Sequence, residues 1–261
     1  MDVTATVGGR RGETMKHLQR DLEGLKREIL AIGAMAEDAT ARALEALLNR
    51  DLDLAEQVIR GDNLLDQKEL EVEEECLKVL ALHQPMATDL RFIVTVLKVN
   101  NDLERIGDLA ANIAKRAIVL TRRRGPEPPG ELRDMMEKVR RMVGRSLDSL
   151  VKLDAEIARD VLMADEAVDS LHKRMYKSLQ ERMTRDPDRI PDYIQLLSIS
   201  RHLERMADQA TNIAEDVIFT VEGELVRHGG WEQRMDEDEE DEGGGRDDDE
   251  PRLRIVPGSG D

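Results

Sequence analysis

"DLERIGDLAANIA" at residues 102–114 and "HLERMADQATNIA" at residues 202–214 are two copies of one pattern. Eight of the 13 aligned positions are identical, and the copies sit 100 residues apart. Within each copy the apolar residues recur at helical spacing: Leu103, Ile106, Ala110 and Ile113 in the first, Leu203, Met206, Ala210 and Ile213 in the second. That period marks one buried stripe along an α-helix. Each copy also holds a Glu and an Asp four residues apart, in the same frame, off that stripe. A repeated helix with a repeated acidic pair predicts a duplicated, all-helical fold.

The repeat extends upstream. Val58, Leu65 and Val72 form an apolar seam that recurs as Val161, Val168 and Met175, and Asp62 and Asp66 recur as Asp165 and Asp169, each offset by 103. A three-residue deletion between the helices reconciles the two offsets, and a tandem duplication explains both. Ahead of this lies a heptad seam, Met15, Leu18, Leu22, Leu25, Ile29, Ile32, Ala36, Ala39, Ala43 and Ala46, the mark of near-parallel helix packing. Asp53 is a candidate N-cap for the second helix.

The chain therefore reads as all-α: two tandem three-helix bundles, six long helices in all. Residues 1–13 are expected to be disordered, 14–120 to form the first bundle and 131–228 the second. Between them "TRRRGPEPPG", residues 121–130, has three prolines and two glycines, the composition of a linker. Its Arg122–Arg124 run is read as solvated. From residue 229 to 261 the chain holds 13 acidic and 4 basic residues and is expected to be a disordered acidic tail.

Composition narrows the function. Net charge is −17 and aromatics are 2% of the chain. An acidic body argues against binding a nucleic-acid backbone, which needs clustered Lys and Arg. No apolar run approaches a membrane span, and the N-terminus lacks a secretory signal pattern. The expected setting is cytoplasmic. Cys76, the one cysteine, falls on an apolar seam and is read as a small core residue.

On a helical wheel Glu104, Asp108 and Asn112 lie within about 80° of one another and away from the apolar stripe. Asp62 and Asp66 share a face of the second helix, with Glu69 beside them. If the second and third helices are neighbours, four or five carboxylates converge on one surface, and Asp165, Asp169, Glu204 and Asp208 do the same in the second half. One Glu-x-x-x-Asp alone is ordinary solvated surface, and Arg105 and Arg205 are placed to pair with Asp108 and Asp208. Retention of Glu, Arg, Asp and Asn in one frame in both copies shifts the reading toward metal binding. Clustered oxygen ligands suit Mg²⁺, Mn²⁺ or iron, and their chemistry argues against structural zinc. His17, His83 and His228 sit near segment ends, and His202 faces away from Glu204. His172 takes the position of Glu69 and reads as a hydrogen-bonded seam residue or a ligand.

Together these motifs resemble the PhoU family, regulators of bacterial phosphate uptake. "HQPMATDLRFI" at residues 83–93 is similar to the family's Gln-Pro-x-x-x-Asp-Leu-Arg segment, here Gln84, Pro85, Asp89, Leu90 and Arg91. "LERIGDLAANIA" and "LERMADQATNIA" look like its two signature repeats, and the resemblance covers residues 15–226. It implies a non-enzymatic regulator, often a homodimer, that contacts the transporter ATPase subunit and a membrane sensor histidine kinase. It also implies metal ligands at Glu104, Asp108, Glu204 and Asp208, with Asp62, Asp66, Asp165 and Asp169 as companions. The second half departs from the loop motif, with Pro187, Pro191 and Asp192 instead. Lys115 aligns with Glu215, so the two sites differ in charge. The alternatives are a metal-free helical scaffold and a di-metal carboxylate enzyme. Such enzymes direct Glu and Glu-x-x-His ligands into a bundle core, and only Asp169-x-x-His172 approaches that motif.

Overall fold

The computed structural model describes residues 4–223, with side chains from Lys16 onward. Among these residues the chain forms α1 (Thr4–Asn49), α2 (Leu52–His83), α3 (Thr88–Arg122), α4 (Gly130–Lys152), α5 (Ala155–Arg185), a 3-10 turn (Pro187–Arg189) and α6 (Ile190–Glu222). They contain no strand. The acidic tail at 229–261 lies outside the described residues.

The apolar seams are the core. Leu25, Ile29, Ile32, Ala36, Ala43 and Ala46 of α1 are buried, as are Val58, Leu65, Val72, Cys76 and Val79 of α2. Their counterparts Val161, Val168 and Met175 of α5 are fully buried too. Burying a large aliphatic side chain contributes about 1.5–3 kcal/mol, so these stripes dictate which helix faces meet. Burial also pushes the Cys76 thiol up to about 12, helped by Glu28, Glu75 and Glu73, which leaves it an inert thiol.

Each half is a three-helix bundle, with α1, α2 and α3 in mutual contact and α4, α5 and α6 likewise. The halves are joined through their third helices: α3 packs along α6 as extensively as it packs along α2. The pairing is antiparallel. Thr220 Oγ1 donates to Thr95 Oγ1 at 2.7 Å, Lys98 pairs with Asp216, and Arg116 Nη1 donates to Gln195 Oε1 at 3.2 Å. As numbers rise along α3 their partners fall along α6, and the level of residue 107 meets that of residue 207. Those are equivalent positions of the repeat, so a local twofold axis relates the halves. α2 and α5 lie outside this seam, each packed within its own half.

Three local readings change. α1 starts at Thr4, although residues 1–13 read as unstructured. Extending an established helix costs far less than nucleating one, so a weak sequence continues a strong helix. The α2 cap is Asp51, two residues before the expected Asp53; its Oδ1 accepts from Leu54 N at 2.9 Å. Asp154 caps α5 in the same way, accepting from Glu156 N and Ile157 N, again at an offset of 103. The arginine run before α4 is not simply solvated. Arg123 pairs with the buried Asp192, and Arg50 Nη2 donates to Gly125 O at 2.7 Å.

Candidate metal centre

The first acidic edge forms where α2 lies on α3. Gly107 permits the approach: a Cβ there would stand 2.8 Å from Leu65 Cδ1 and 3.6 Å from Asp62 Oδ1. Leu65 fills that space, and its burial carries Asp62 against α3. Asn100 fixes the next level, donating from Nδ2 to Glu69 O at 2.9 Å and to Glu69 Oε1 at 3.3 Å.

The carboxylates at this edge act on one another. Asp62 is pushed up to about 6, first by burial and then by Asp108 and Asp66, with Lys115 opposing. Its Oδ1 is buried and has no hydrogen-bond partner among the described residues. Glu104 is raised by burial, then by Asp108, Asp66 and Glu69. Glu69 is raised by burial, then by Glu73 and Asp66. Asp62, Asp66, Glu69, Glu104 and Asp108 therefore share one patch, as the wheel predicts for neighbouring helices.

The second edge repeats the scaffold. α5, which carries Asp165 and Asp169, packs on α6, which carries Glu204 and Asp208, and all four are partly exposed. His172 Nδ1 and Ser200 Oγ are 2.8 Å apart, a hydrogen bond at the positions equivalent to Glu69 and Asn100. His172 is thus engaged across the helix seam. Ala207 stands where Gly107 does, and Glu215 where Lys115 does.

The donors at the first edge fit a hard cation in kind: carboxylates, one of them with an orphaned buried oxygen and reluctant to ionise alone. They do not form a ready cage. Among the described residues no group of three His, Cys, Asp or Glu side chains is already close enough to hold an ion. Sequence reading also misses the contribution of α1. A cavity of about 220 Å³ opens beside Asp62, lined by Met35, Asp38 and Arg42 of α1 with Gln57 and Gly107. Arg42 pairs there with Asp38 and donates to Gln57 Oε1 at 2.6 Å. No α1 residue repeats the acidic pattern, so periodicity alone had no signal for them.

A PhoU domain matches the chain twice, over residues 29–117 and 132–217. The chain belongs to the PhoU family. Each match covers one three-helix half, and the two starts are offset by the same 103 residues as the aspartate pairs. The phosphate-specific transport system accessory protein PhoU homolog of Pseudomonas aeruginosa is 39% identical over 219 residues, covering 83% of this chain and 90% of the relative. The homolog from Aquifex aeolicus is 38% identical over 211 residues, covering 81% and 96%. The crystal structure of PhoU from Pseudomonas aeruginosa superposes with a TM-score of 0.76 at 38% identity, covering 79% of this chain and 99% of that one. The phosphate transport system regulatory protein PhoU from Streptococcus pneumoniae gives 0.75 at 30% identity, covering 80% and 99%. These relatives are named as accessory or regulatory proteins of phosphate transport, not as enzymes. No described helix is long and apolar enough to cross a membrane.

Proposed function

We propose that this PhoU-family chain is a cytoplasmic, metal-binding adaptor that restrains phosphate uptake and phosphate-starvation signalling. It docks on the transporter ATPase subunit and on a sensor histidine kinase, and acts as a homodimer. Asp62, Asp66, Glu104 and Asp108 hold one cation or cluster, and Asp165, Asp169, Glu204 and Asp208 hold the other. Fe, Mn or Mg suits these oxygen donors. The ion neutralises the crowded carboxylates and draws α2 toward α3 and α5 toward α6.

One observation carries the metal reading: Asp62 keeps a buried oxygen with no hydrogen-bond partner among the described residues, beside the carboxylates of Asp108 and Asp66. Such a group is costly unless a cation or proton completes it. The docking reading is supported by the loop motif of residues 83–93. There Leu82, Met86, Leu90 and Val94 are exposed along the end of α2 and the start of α3, Met86 at 80%. Apolar side chains gathered this way commonly mark a contact surface.

Elemental analysis of protein purified without chelator tests the metal: more than one Fe, Mn or Mg per chain is expected, falling to background in Glu104→Ala/Glu204→Ala. Background levels in both proteins would leave a metal-free scaffold. Capture of the transporter ATPase and the kinase, at high and at low phosphate, tests the adaptor role. Failure under both conditions would sink it.

A further inference from the structure

The α3–α6 seam is symmetric in backbone and inverted in charge. At one end Asp102, Glu215 and Asp216 line a pocket of about 450 Å³ with Lys98, Asn101 and Asn212. Lys98 pairs with Asp216, and Asn212 lines the same pocket as Asp102. The local twofold carries each of these positions to the other end. There Asp102 becomes His202, Glu215 becomes Lys115, Asp216 becomes Arg116, Asn101 becomes Arg201 and Lys98 becomes Ser198. Every acid of the first end is thus a base or a histidine at the second, Lys98 becomes a hydroxyl, and Arg105, which acts on Asp102, keeps its charge as Arg205. Arg205, one helical turn beyond Arg201, adds to the same end.

This basic end is incompletely satisfied. Arg116 uses one guanidinium nitrogen on Gln195 and Lys115 Nζ contacts Asn112 Oδ1 at 3.3 Å. Neither these two nor Arg201 makes an ion pair among the described residues. Both ring nitrogens of His202 are shielded from solvent and have no hydrogen-bond partner. Cations without counter-charge around a histidine without partners, in a protein of net charge −17, lack one component: an anion with several acceptor oxygens.

We propose that the basic end of the α3–α6 seam is an oxyanion site for a phosphate-class ligand, held by Arg116 from α3 and by Arg201, His202 and Arg205 from α6. Planar guanidinium forks favour bidentate contact with a tetrahedral oxyanion. His202 supplies the remaining donor. The ring is buried, and Arg116, Arg205 and Arg201 are the charged groups that act on it. The site uses none of the carboxylates assigned to the metal edges and does not depend on the metal reading.

The test uses the full chain in EDTA, which removes any metal route to phosphate. Inorganic phosphate and, separately, ATP are titrated while the His202 ring is followed by ¹⁵N NMR and heat by calorimetry. Saturable binding with a shifted His202 ring signal is expected. It should weaken about tenfold in Arg116→Gln and in Arg201→Gln, each losing a charge-assisted pair, and be unchanged in Lys98→Ser at the acidic end. Arg201 is exposed, so its variant carries the test if Arg116→Gln misfolds. Saturation by inorganic phosphate identifies the free ion as the ligand, and saturation by ATP alone identifies a phosphoryl group on a larger molecule. No saturable response to either, or equal binding in both arginine variants, overturns the site. So would loss of binding only in Glu104→Ala/Glu204→Ala, which would return any phosphate to the metal edges.

Discussion

The edge between α2 and α3 and the edge between α5 and α6 share a scaffold and differ in chemistry. Both begin from an aspartate-capped helix, both carry two aspartates on one helix and a Glu-x-x-x-Asp on its neighbour, and both lock the next level with a hydrogen bond across the helices. The first edge has Glu69, Gly107 and Lys115 where the second has His172, Ala207 and Glu215. The second therefore carries one more net negative charge with His172 neutral, while the first allows its helices closer contact. Helix packing is preserved because it rests on apolar stripes. The ligand shell is free to diverge because it stands on their margin.

The largest effect should come from the packing beneath the two edges. Leu65 and Val168 are equivalent and buried, but Leu65 fills the space that Gly107 leaves. Leu65→Ala should cost about 3 kcal/mol in urea unfolding. Val168→Ala, with fewer carbons removed, should cost about 2 kcal/mol. Equal costs would mean that the glycine contact does not distinguish the halves.

Next is the charge at Asp62. Its folded-state pKa lies above its unfolded value, at about 6 against 3.8, so the native state holds the extra proton between those limits. Stability from this group is therefore lost as pH rises through about 6 and is restored below about 4. Because the group is partly exposed, solvent screening reduces the penalty to about 1 kcal/mol at pH 7.5. Asp62→Asn should raise the midpoint of metal-free protein by that amount at pH 7.5 and leave it unchanged at pH 3.5. A divalent ion bound at this edge should mimic the wild-type gain and add little to the variant. Stabilisation by Asp62→Asn that does not vary with pH would refute the charge argument.

A smaller effect separates the edges as ligand shells. Cation affinity rises with ligand charge at comparable geometry. Lys115→Glu should strengthen Mn²⁺ binding at the first edge by about tenfold or less, since an exposed charge is worth about 1 kcal/mol at most. Glu215→Lys should weaken the second edge similarly. Two calorimetric sites that respond to neither swap would place the ions elsewhere.

Much of this architecture was legible in the residues. The 3.6-residue period located the helices, and the duplicated Leu-Glu-Arg and aspartate pairs marked faces that converge if α2 neighbours α3 and α5 neighbours α6, as they do. Packing stripes are read well because burial constrains every third or fourth residue. The antiparallel α3–α6 seam was not read, because the residues that join it, Thr95 with Thr220 and Lys98 with Asp216, follow no shared period. The inverted charge of its ends emerges only once the twofold is known. Asp51 lost out to Asp53 as a cap because both residues are equally suited, and only the αL turn at Arg50 decides between them. The role of α1 beside Asp62 was invisible because Asp38 and Arg42 are ordinary helix-surface residues until the third helix is in place.

The smallest expected effect is the most direct test of why the halves differ. Gly107→Ala gains about 1 kcal/mol of helix propensity, but the new Cβ lies 2.8 Å from a methyl of Leu65. That methyl ends a flexible side chain, so it yields by rotation at a cost similar to the gain, and the net change should fall within about 0.5 kcal/mol of zero. Ala207→Gly meets no such compensation and should lose about 1 kcal/mol. The consequence for the acidic edge is the sharper readout. If Leu65 moves, Asp62 moves with it, since Asp62 Oδ1 is only 3.6 Å from the same point. Gly107→Ala should then lower the Asp62 pKa, measured by carboxyl ¹³C NMR, by admitting water to the buried oxygen. An unchanged Asp62 titration with unchanged stability would show that the glycine is incidental and that the two edges differ through their charges alone.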